Sequence, residues 1–589
     1  MVVTQDGQPV PVDKSLSSPS RTSHLLLLLA LLVGVAFLAY FPTFGFSFVY
    51  DDGSQIQLNP SLTSWSYLPG FFTGHMWKFL LPDWPGNYYR PVFLTWLLAN
   101  RMLFGLNSTA WHITTVLLHL GVTVFAFIVA RQITRSVSVA FFTALLFGLH
   151  PIHVESVAWI SGSTDPLMAL FTLAAFATWI QGDRNRSSRP RWIVVSVFCY
   201  ILGCLTKETA VFLPILVFAY EWKFRERPDV PPRVIQSLLR TWPLCVAGAM
   251  YVVVRSIELS GLIHSQSNSF KSILLTIPTI MLGYMRRLVW PVSLSVFYDT
   301  PPVQFASEWR FWLPLAFVAL GIAAAILAAR RSKIAGFALA WIMVFLSPAI
   351  IGLPAFDIGE WIHDRYLYLP SFGFCLLLVY ALSHWKSRQQ LLGLSAGSAI
   401  VLILLAVAMA AGTSWEEQVW TNNLLLFAHG TRIAPHSALA KVHLATELFQ
   451  RGHHDDALRL YQETIALAPD NWKNNMTYGM ALYYDGRFKA ADEQLQRTID
   501  IAGKDCNQYF YQGMSRFSLD RYPEAEASFR KAIATGNTRV RYHFWLGYSL
   551  EKQGRFDEAK TEYETELKQH PETDTLARQR LEALLPHQN

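Results

Sequence analysis

ALAKVHLATELFQRGHHDDALRLYQETIALAPDN, residues 438–471, is followed at once by WKNNMTYGMALYYDGRFKAADEQLQRTIDIAGKD, residues 472–505. Few positions are identical between the two, yet they share one pattern at a spacing of 34 residues, and it continues through two more units. A small residue recurs as Ala445, Gly479, Gly513 and Gly547, a second as Ala457, Ala491, Ala525 and Ala559, and a bulky one as Tyr461, Leu495, Phe529 and Tyr563. A fixed period of this length marks stacked helical hairpins. The small residues let the two helices of a unit approach and the bulky one fills the gap. Stacking then buries a shared core and leaves a concave face of the kind that holds peptides. Residues 438–585 are therefore expected to form an α-solenoid of four repeats.

Upstream the chain changes character. Of 589 residues, 52% are hydrophobic and only 15% charged, with 20 Trp, 23 Tyr and 39 Phe. Soluble domains carry about 25% charge, so lipid is the expected solvent for much of the remainder. The net charge of +7 invites a nucleic-acid reading, but Lys and Arg sit in short loops between apolar segments, where membrane topology explains them better. The five cysteines, Cys199, Cys204, Cys245, Cys375 and Cys506, form no C-x-x-C pair and suggest neither a disulfide framework nor a zinc site.

Eleven spanning helices are expected, near 24–42, 109–130, 136–150, 165–181, 191–205, 208–222, 238–256, 311–329, 334–352, 366–384 and 390–412. The first has no small-residue cleavage site after it and reads as retained. The chain then divides into a cytoplasmic tail (1–23), a membrane domain (24–412) with outer loops 43–108 and 257–310, a connecting segment (413–437) and the repeats (438–585). With the amino terminus inside, the inner loops hold eighteen basic residues, including Lys14, Arg131, Arg225, Arg227, Arg330, Arg331 and Lys333, against nine outside. That bias sets the orientation, and an odd helix count places the repeats outside the cytoplasm. The apolar helix near 273–290 is placed flat on the outer interface, because counting it as a span would carry Arg330, Arg331 and Lys333 outside.

On this map the unusual residues gather on one side: Asp51-Asp52, His150 to Glu155, Asp165, Lys207-Glu208, and Asp357, Glu360, His363, Asp364 and Arg365. Charge inside a bilayer costs about 2.5–3.5 kcal/mol on insertion scales, so such convergence favours an interfacial site. Adjacent aspartates on a loop point apart, which leaves one to face a substrate while the other orients groups or binds a cation; an ordinary Asp-Asp-Gly turn is the plain alternative. A partly desolvated Asp has its pKa pushed upward, toward what is needed to take a hydroxyl proton. His150, His153 and Glu155 have a spacing compatible with a metal, but Pro151 interrupts the helix and no H-E-x-x-H is present, which favours a hydrogen-bonded loop end. Lys207 either neutralises Glu208 or meets a phosphate. Arg365 either offers its planar fork to phosphate oxygens or snorkels. Arg90 precedes an amphipathic run to Leu106 that reads as an interfacial helix. Arg255, Arg286 and Arg287 are further basic candidates, and the Trp and Tyr of 65–89 read as an aromatic belt.

Together, H-P-I-H-V-E-S-V-A-W-I-S at 150–161, Asp51-Asp52, Tyr89-Arg90-Pro91, Thr206-Lys207-Glu208, D-R-Y-L-Y-L-P at 364–370 and the trailing repeats resemble the transmembrane and tetratricopeptide-repeat protein O-mannosyltransferases, from about residue 24 onward. The resemblance implies an all-α fold, with a GT-C-type bundle followed by the repeats. It also implies a polyprenyl- or dolichyl-phosphate mannose donor and action on the lumenal or periplasmic side. By resemblance the catalytic carboxylate is Asp51 or Asp52. Asp165 is a second acidic residue, Glu155, His150 and His153 shape the site, and Lys207, Arg365 and Arg90 hold the donor phosphate. Ser163-Thr164 stands where relatives tend to carry a basic residue, and four repeats is a short array that suggests a bacterial homologue.

The expected activity is therefore transfer of a sugar to Ser or Thr of extracytoplasmic proteins held by the repeats. The site is in the bacterial inner membrane, or in the endoplasmic reticulum of a eukaryote. No cofactor is firmly implied, and a divalent cation at the acidic loop stays open. The alternatives are a non-catalytic membrane-anchored scaffold and a GT-C transferase acting on a lipid or polysaccharide.

Overall fold

The structure, a computed structural model, describes residues 19–80, 86–184, 186–224, 233–261, 269–356, 360–503, 505–535, 541–570 and 575–584. Lys14, Arg225, Arg227 and Asp357 lie outside these residues. The chain forms two compact units, Met1–Leu426 and Phe427–Asn589.

The first unit is a helical bundle. Its helices are α1 (Pro19–Tyr40), α2 (Pro91–Phe104), α3 (Ser108–Thr134), α4 (Val137–Gly148), the short α5 (Val154–Ala158), α6 (Thr164–Arg184), α7 (Arg189–Thr206) and α8 (Leu213–Phe224). They continue as α9 (Arg233–Glu258), α10 (Phe270–Val289), α11 (Trp309–Arg331), α12 (Lys333–Ile351), α13 (Tyr368–Leu382) and α14 (Ala396–Glu416). Several start on a side-chain cap that satisfies an orphan backbone N–H: Asn107 accepts from Ala110 N, Ser136 from Val139 N, Ser332 from Ala335 N and Ser395 from Ser398 N. Ten described helices are long and apolar enough to cross a membrane, and α4 with the segment Pro151–Ala158 makes a bent pair, 51° apart, that can serve as one more span. The protein is a multi-pass membrane protein.

Polar contacts distinguish the two ends of the bundle. At one end Arg184 reaches the Gln132 carbonyl, and Arg240 lies between Asp183 and Glu221. At the other, Ser47 N donates to the Thr421 carbonyl and Thr413 to the Leu149 carbonyl. The segment expected to span 208–222 is a 3₁₀ turn, Glu208–Phe212, running into α8, twelve residues that carry Lys223 to the far end beside Gly336. Conversely α10, twenty residues and apolar enough to cross, has both ends tied to one side. Ser272 donates to the Val303 carbonyl ahead of α11, while the Leu288 carbonyl accepts from His150 and Tyr284 donates to the Trp361 carbonyl. With α10 set aside and the bent pair and α8 counted, eleven described segments run from end to end.

Past α15 (Asn423–Ile433), the second unit carries α16 (Ala438–Gln450), α17 (His454–Leu467), α18 (Trp472–Tyr484), α19 (Phe488–Ala502), α20 (Cys506–Ser518), α21 (Tyr522–Ala534), α22 (Tyr542–Lys552) and α23 (Phe556–Gln569), four hairpins, then Thr575–Leu584. The repeat pattern is expressed as close approach: a Cβ on Gly513 would lie 2.6 Å from the Phe529 ring, and one on Gly547 2.9 Å from that of Tyr563. Ala445, Ala457, Ala491, Ala525 and Ala559 are fully buried beside them.

Candidate active site

After α1 the chain turns back under the bundle. Tyr50 adopts φ 54°, a left-handed conformation unusual for a bulky residue, and Gly53–Gln57 form a π-helical turn; both are features that concentrate at functional sites. Tyr50 N donates to Asn423 Oδ1 at 2.8 Å. The turn sends the two aspartates opposite ways. Asp52 is fully buried, with Oδ1 accepting from Ser161 N (2.8 Å) and Oγ (2.6 Å) and Oδ2 from Val49 N (3.0 Å). Asp51 faces a cavity of about 80 Å³ and accepts only the Gln55 amide, at 3.3 Å. Burial pushes the Asp51 carboxyl up to about 6, against the nearby Arg365 charge and the Gln55 hydrogen bond. Asp52 is pushed by burial to about 7, against its donors on Ser161 and Val49.

Arg90, Lys207 and Arg365 line the same cavity, and each is held by a carboxylate outside it. Arg90 makes a bidentate pair with Glu208 (2.7 and 3.2 Å), Lys207 bridges both oxygens of Asp165 (2.7 and 2.8 Å), and Arg365 pairs with Glu155, which also accepts from the Arg365 backbone N–H at 2.9 Å. Aromatic faces steady the cations: Arg90 lies 4.4 Å from the Tyr88 ring centre, Lys207 5.1 Å from Tyr366 and Arg365 5.5 Å from Trp159. Three cations, each neutralised by one anion, thus line the cavity with Asp51, the only carboxylate among the described lining residues.

This geometry corrects several readings. Lys207 and Glu208 do not neutralise each other; consecutive side chains at a helix end diverge, and each takes a partner on another element. Glu155 and Asp165 shape the site from outside the cavity, each anchoring one of its cations. His150 and His153 do not line it either. His150 caps the Pro151–His153 turn through Ile152 N and reaches the Leu288 carbonyl, while His153 bonds Ser371 Oγ at 2.7 Å and packs on Tyr368. Pro151 breaks the helix and turns both rings into the core. Among the basic candidates, Arg287 pairs with Asp364 and Arg255 donates to the Asn87 carbonyl. Conversely Trp77 and Tyr88, assigned above to an aromatic belt, line the cavity.

The tetratricopeptide-repeat family model matches residues 443–505 and 510–585. Protein O-mannosyl-transferase TMTC1 of Homo sapiens is 26% identical over 495 residues, covering 75% of this chain and 55% of its own. A protein O-mannosyl-transferase of Caenorhabditis elegans is 26% identical, over 79% of this chain and 66% of its own, and TMTC3 of Mus musculus is 24% identical, over 76% and 52%. The chain is similar to these protein O-mannosyl-transferases over about three quarters of its length. It spans about half to two thirds of the length of these mannosyl-transferases. A crystal structure of MamA aligns at 19% identity, covering 25% of this chain and 81% of that one, with a TM-score of 0.24.

Gln55, Ser161 and Tyr366 also line the cavity and were given no role from sequence, while Thr164, noted above only as a departure in charge, lines it too. Ser161 ends the 150–161 string and Tyr366 follows Arg365, so position beside an already suspect residue was the available signal. Gln55 had none.

Proposed function

We propose that the protein transfers a sugar, mannose on the strength of its relatives' names, from a polyprenyl-phosphate donor to serine or threonine hydroxyls of proteins on the extracytoplasmic side. The observation that carries this reading is Asp51: a desolvated carboxylate with no ion pair among the described residues, facing a cavity lined by three cations. The acceptor hydroxyl gives its proton to Asp51 as its oxygen attacks the sugar's anomeric carbon. The bond from that carbon to the phosphate oxygen breaks, and the pair of electrons leaves with the phosphate. Lys207 and Arg365 meet the growing negative charge; an ammonium has three donors and a guanidinium five, so their contacts with Asp165 and Glu155 leave N–H groups for phosphate oxygens. Attack opposite the leaving group inverts the anomeric centre. Asp52, saturated by Ser161 and Val49, positions the loop rather than touching substrate.

Protein acceptors are supported by the names of the relatives and by the repeats, whose concave face suits an extended chain. The test is reconstitution in proteoliposomes with labelled polyprenyl-phosphate mannose and a Ser/Thr peptide. Wild type is expected to label the peptide. Asp51→Asn should lower the rate by about 10²–10⁴ with an unchanged melting profile, whereas Asp52→Asn should lower stability by about 1–3 kcal/mol because it faces donors with an amide. Wild-type transfer by Asp51→Asn removes the base; label that reaches only lipid or polysaccharide replaces the acceptor class.

A further inference from the structure

Among the described residues lining the Asp51 cavity, two buried polar atoms have no described protein partner. Gln55 is 7% exposed and Trp159 5%, and Gln55 Oε1 and Trp159 Nε1 are both buried without a hydrogen bond. The Gln55 amide cannot be relieved by a flip, because its Nε2 already donates to Asp51 Oδ2; Oε1 is therefore an acceptor, while the indole N–H is a donor only. Trp159 is itself fixed, stacked on Trp420 at 6.1 Å and set beside the Arg365 guanidinium. Buried polar groups are ordinarily satisfied, so an unmatched donor and an unmatched acceptor at one cavity imply a ligand that supplies both.

Resting on the transferase reading above, we infer that Gln55 and Trp159 read the hydroxyls of the transferred sugar. A hydroxyl donates and accepts, so neighbouring sugar hydroxyls satisfy Oε1 and Nε1 together. Phosphate oxygens only accept and would face Oε1 unfavourably; a polyprenyl chain satisfies neither. Placement agrees with this division. Trp159 adjoins Arg365, which meets the donor phosphate, and Gln55 is bonded to Asp51, which meets the acceptor hydroxyl. The pair thereby flanks the sugar carbon between leaving group and base.

Trp159→Phe keeps an aromatic ring beside Trp420 and Arg365 but removes the indole N–H together with the pyrrole half of the side chain; Gln55→Leu removes the acceptor. Each full-length variant is assayed in proteoliposomes with polyprenyl-phosphate mannose and with donors lacking one hydroxyl at a time. Trp159→Phe should lower kcat/KM for the complete sugar about tenfold, the effect of one buried hydrogen bond. It should change little with the one deoxy donor that lacks the hydroxyl it binds. Gln55→Leu lowers all rates through Asp51, but its ratio between complete and deoxy donors should collapse in the same selective way. Equal losses with every donor, no loss, or a loss confined to the peptide KM overturns the inference, the last assigning the pair to the acceptor backbone instead. Failure of the wild type to transfer from any sugar donor overturns the transferase reading itself, and either variant alone decides if the other does not fold.

Discussion

Asp51 and Asp52 are neighbours in the chain and opposites in environment. The sequence offers a pair of carboxylates after a helix, and adjacency alone says that they diverge; which one faces the substrate depends on Ser161, far along the chain, whose N–H and hydroxyl claim Asp52. The consequence is testable through pH. With its carboxyl raised by burial to about 6, Asp51 is ionised and able to take a proton above that value and protonated below it. Transfer is therefore expected to be level near neutrality and to fall about tenfold per unit on the acidic side of pH 6, read as kcat/KM against pH. An acidic limb near 4, where an unperturbed carboxylate titrates, would mean that the base is not desolvated. Arg90, Lys207 and Arg365 were legible as candidates because cations beside membrane spans are costly. Their partners were not: Lys207 beside Glu208 invites a local pair, and only the fold brings Asp165 within 2.7 Å. For His150 and His153 the helix break at Pro151 favoured a hydrogen-bonded loop end over a metal site, and their bonds to the Leu288 carbonyl and Ser371 agree; that both rings turn into the core could not be placed from spacing alone.

Among the elements, the repeats were the most legible, because their pattern records a steric requirement rather than a propensity. Where two helices touch, the smaller side must carry no Cβ or a single one, and the sequence states this at the same phase in each unit. Gly513→Val illustrates the constraint. Its first added carbon alone would lie 2.6 Å from the Phe529 ring. The hairpin of α20 and α21 must open, at a cost of about 1–3 kcal/mol. The expected result is a lower melting transition for the repeats, measured by circular dichroism. The same substitution at Gly105, with open space around it but φ of 58°, probes backbone strain instead of packing. No change on Gly513→Val would mean that the two helices do not meet there. The membrane helices were less legible at their edges. Hydropathy marks a segment's solubility in lipid but not its direction, so α10 qualifies by composition while its end contacts keep it on one side, and the short α8 fails by length while joining both ends.

For the whole molecule that distinction decides sidedness. If the eleven segments each cross, the two termini of the bundle lie at opposite ends; the chain leaves the first unit at the end that holds Asp51, where Thr421 and Asn423 bond to Ser47 and Tyr50. A twelfth crossing by α10 would reverse α11 to α14, against those bonds and against the cluster of Arg330, Arg331 and Lys333. If the acceptor is to reach Asp51 while held by the repeats, both must face one compartment, because a peptide does not cross the bilayer to be glycosylated; the proposed function puts that compartment away from the cytosol. Single cysteines in a background lacking the five native ones report this directly. Ser66→Cys lies in the exposed outer loop, Ser387→Cys in the exposed turn between α13 and α14, and Ser518→Cys on an exposed position of the repeats. A membrane-impermeant thiol reagent applied to the extracytoplasmic face is expected to label positions 66 and 518 and to spare 387 until the membrane is opened. Labelling of 66 without 518 would separate the base from the acceptor-binding unit and leave the repeats to a cytoplasmic partner; labelling of 387 with 66 would show that α13 does not cross.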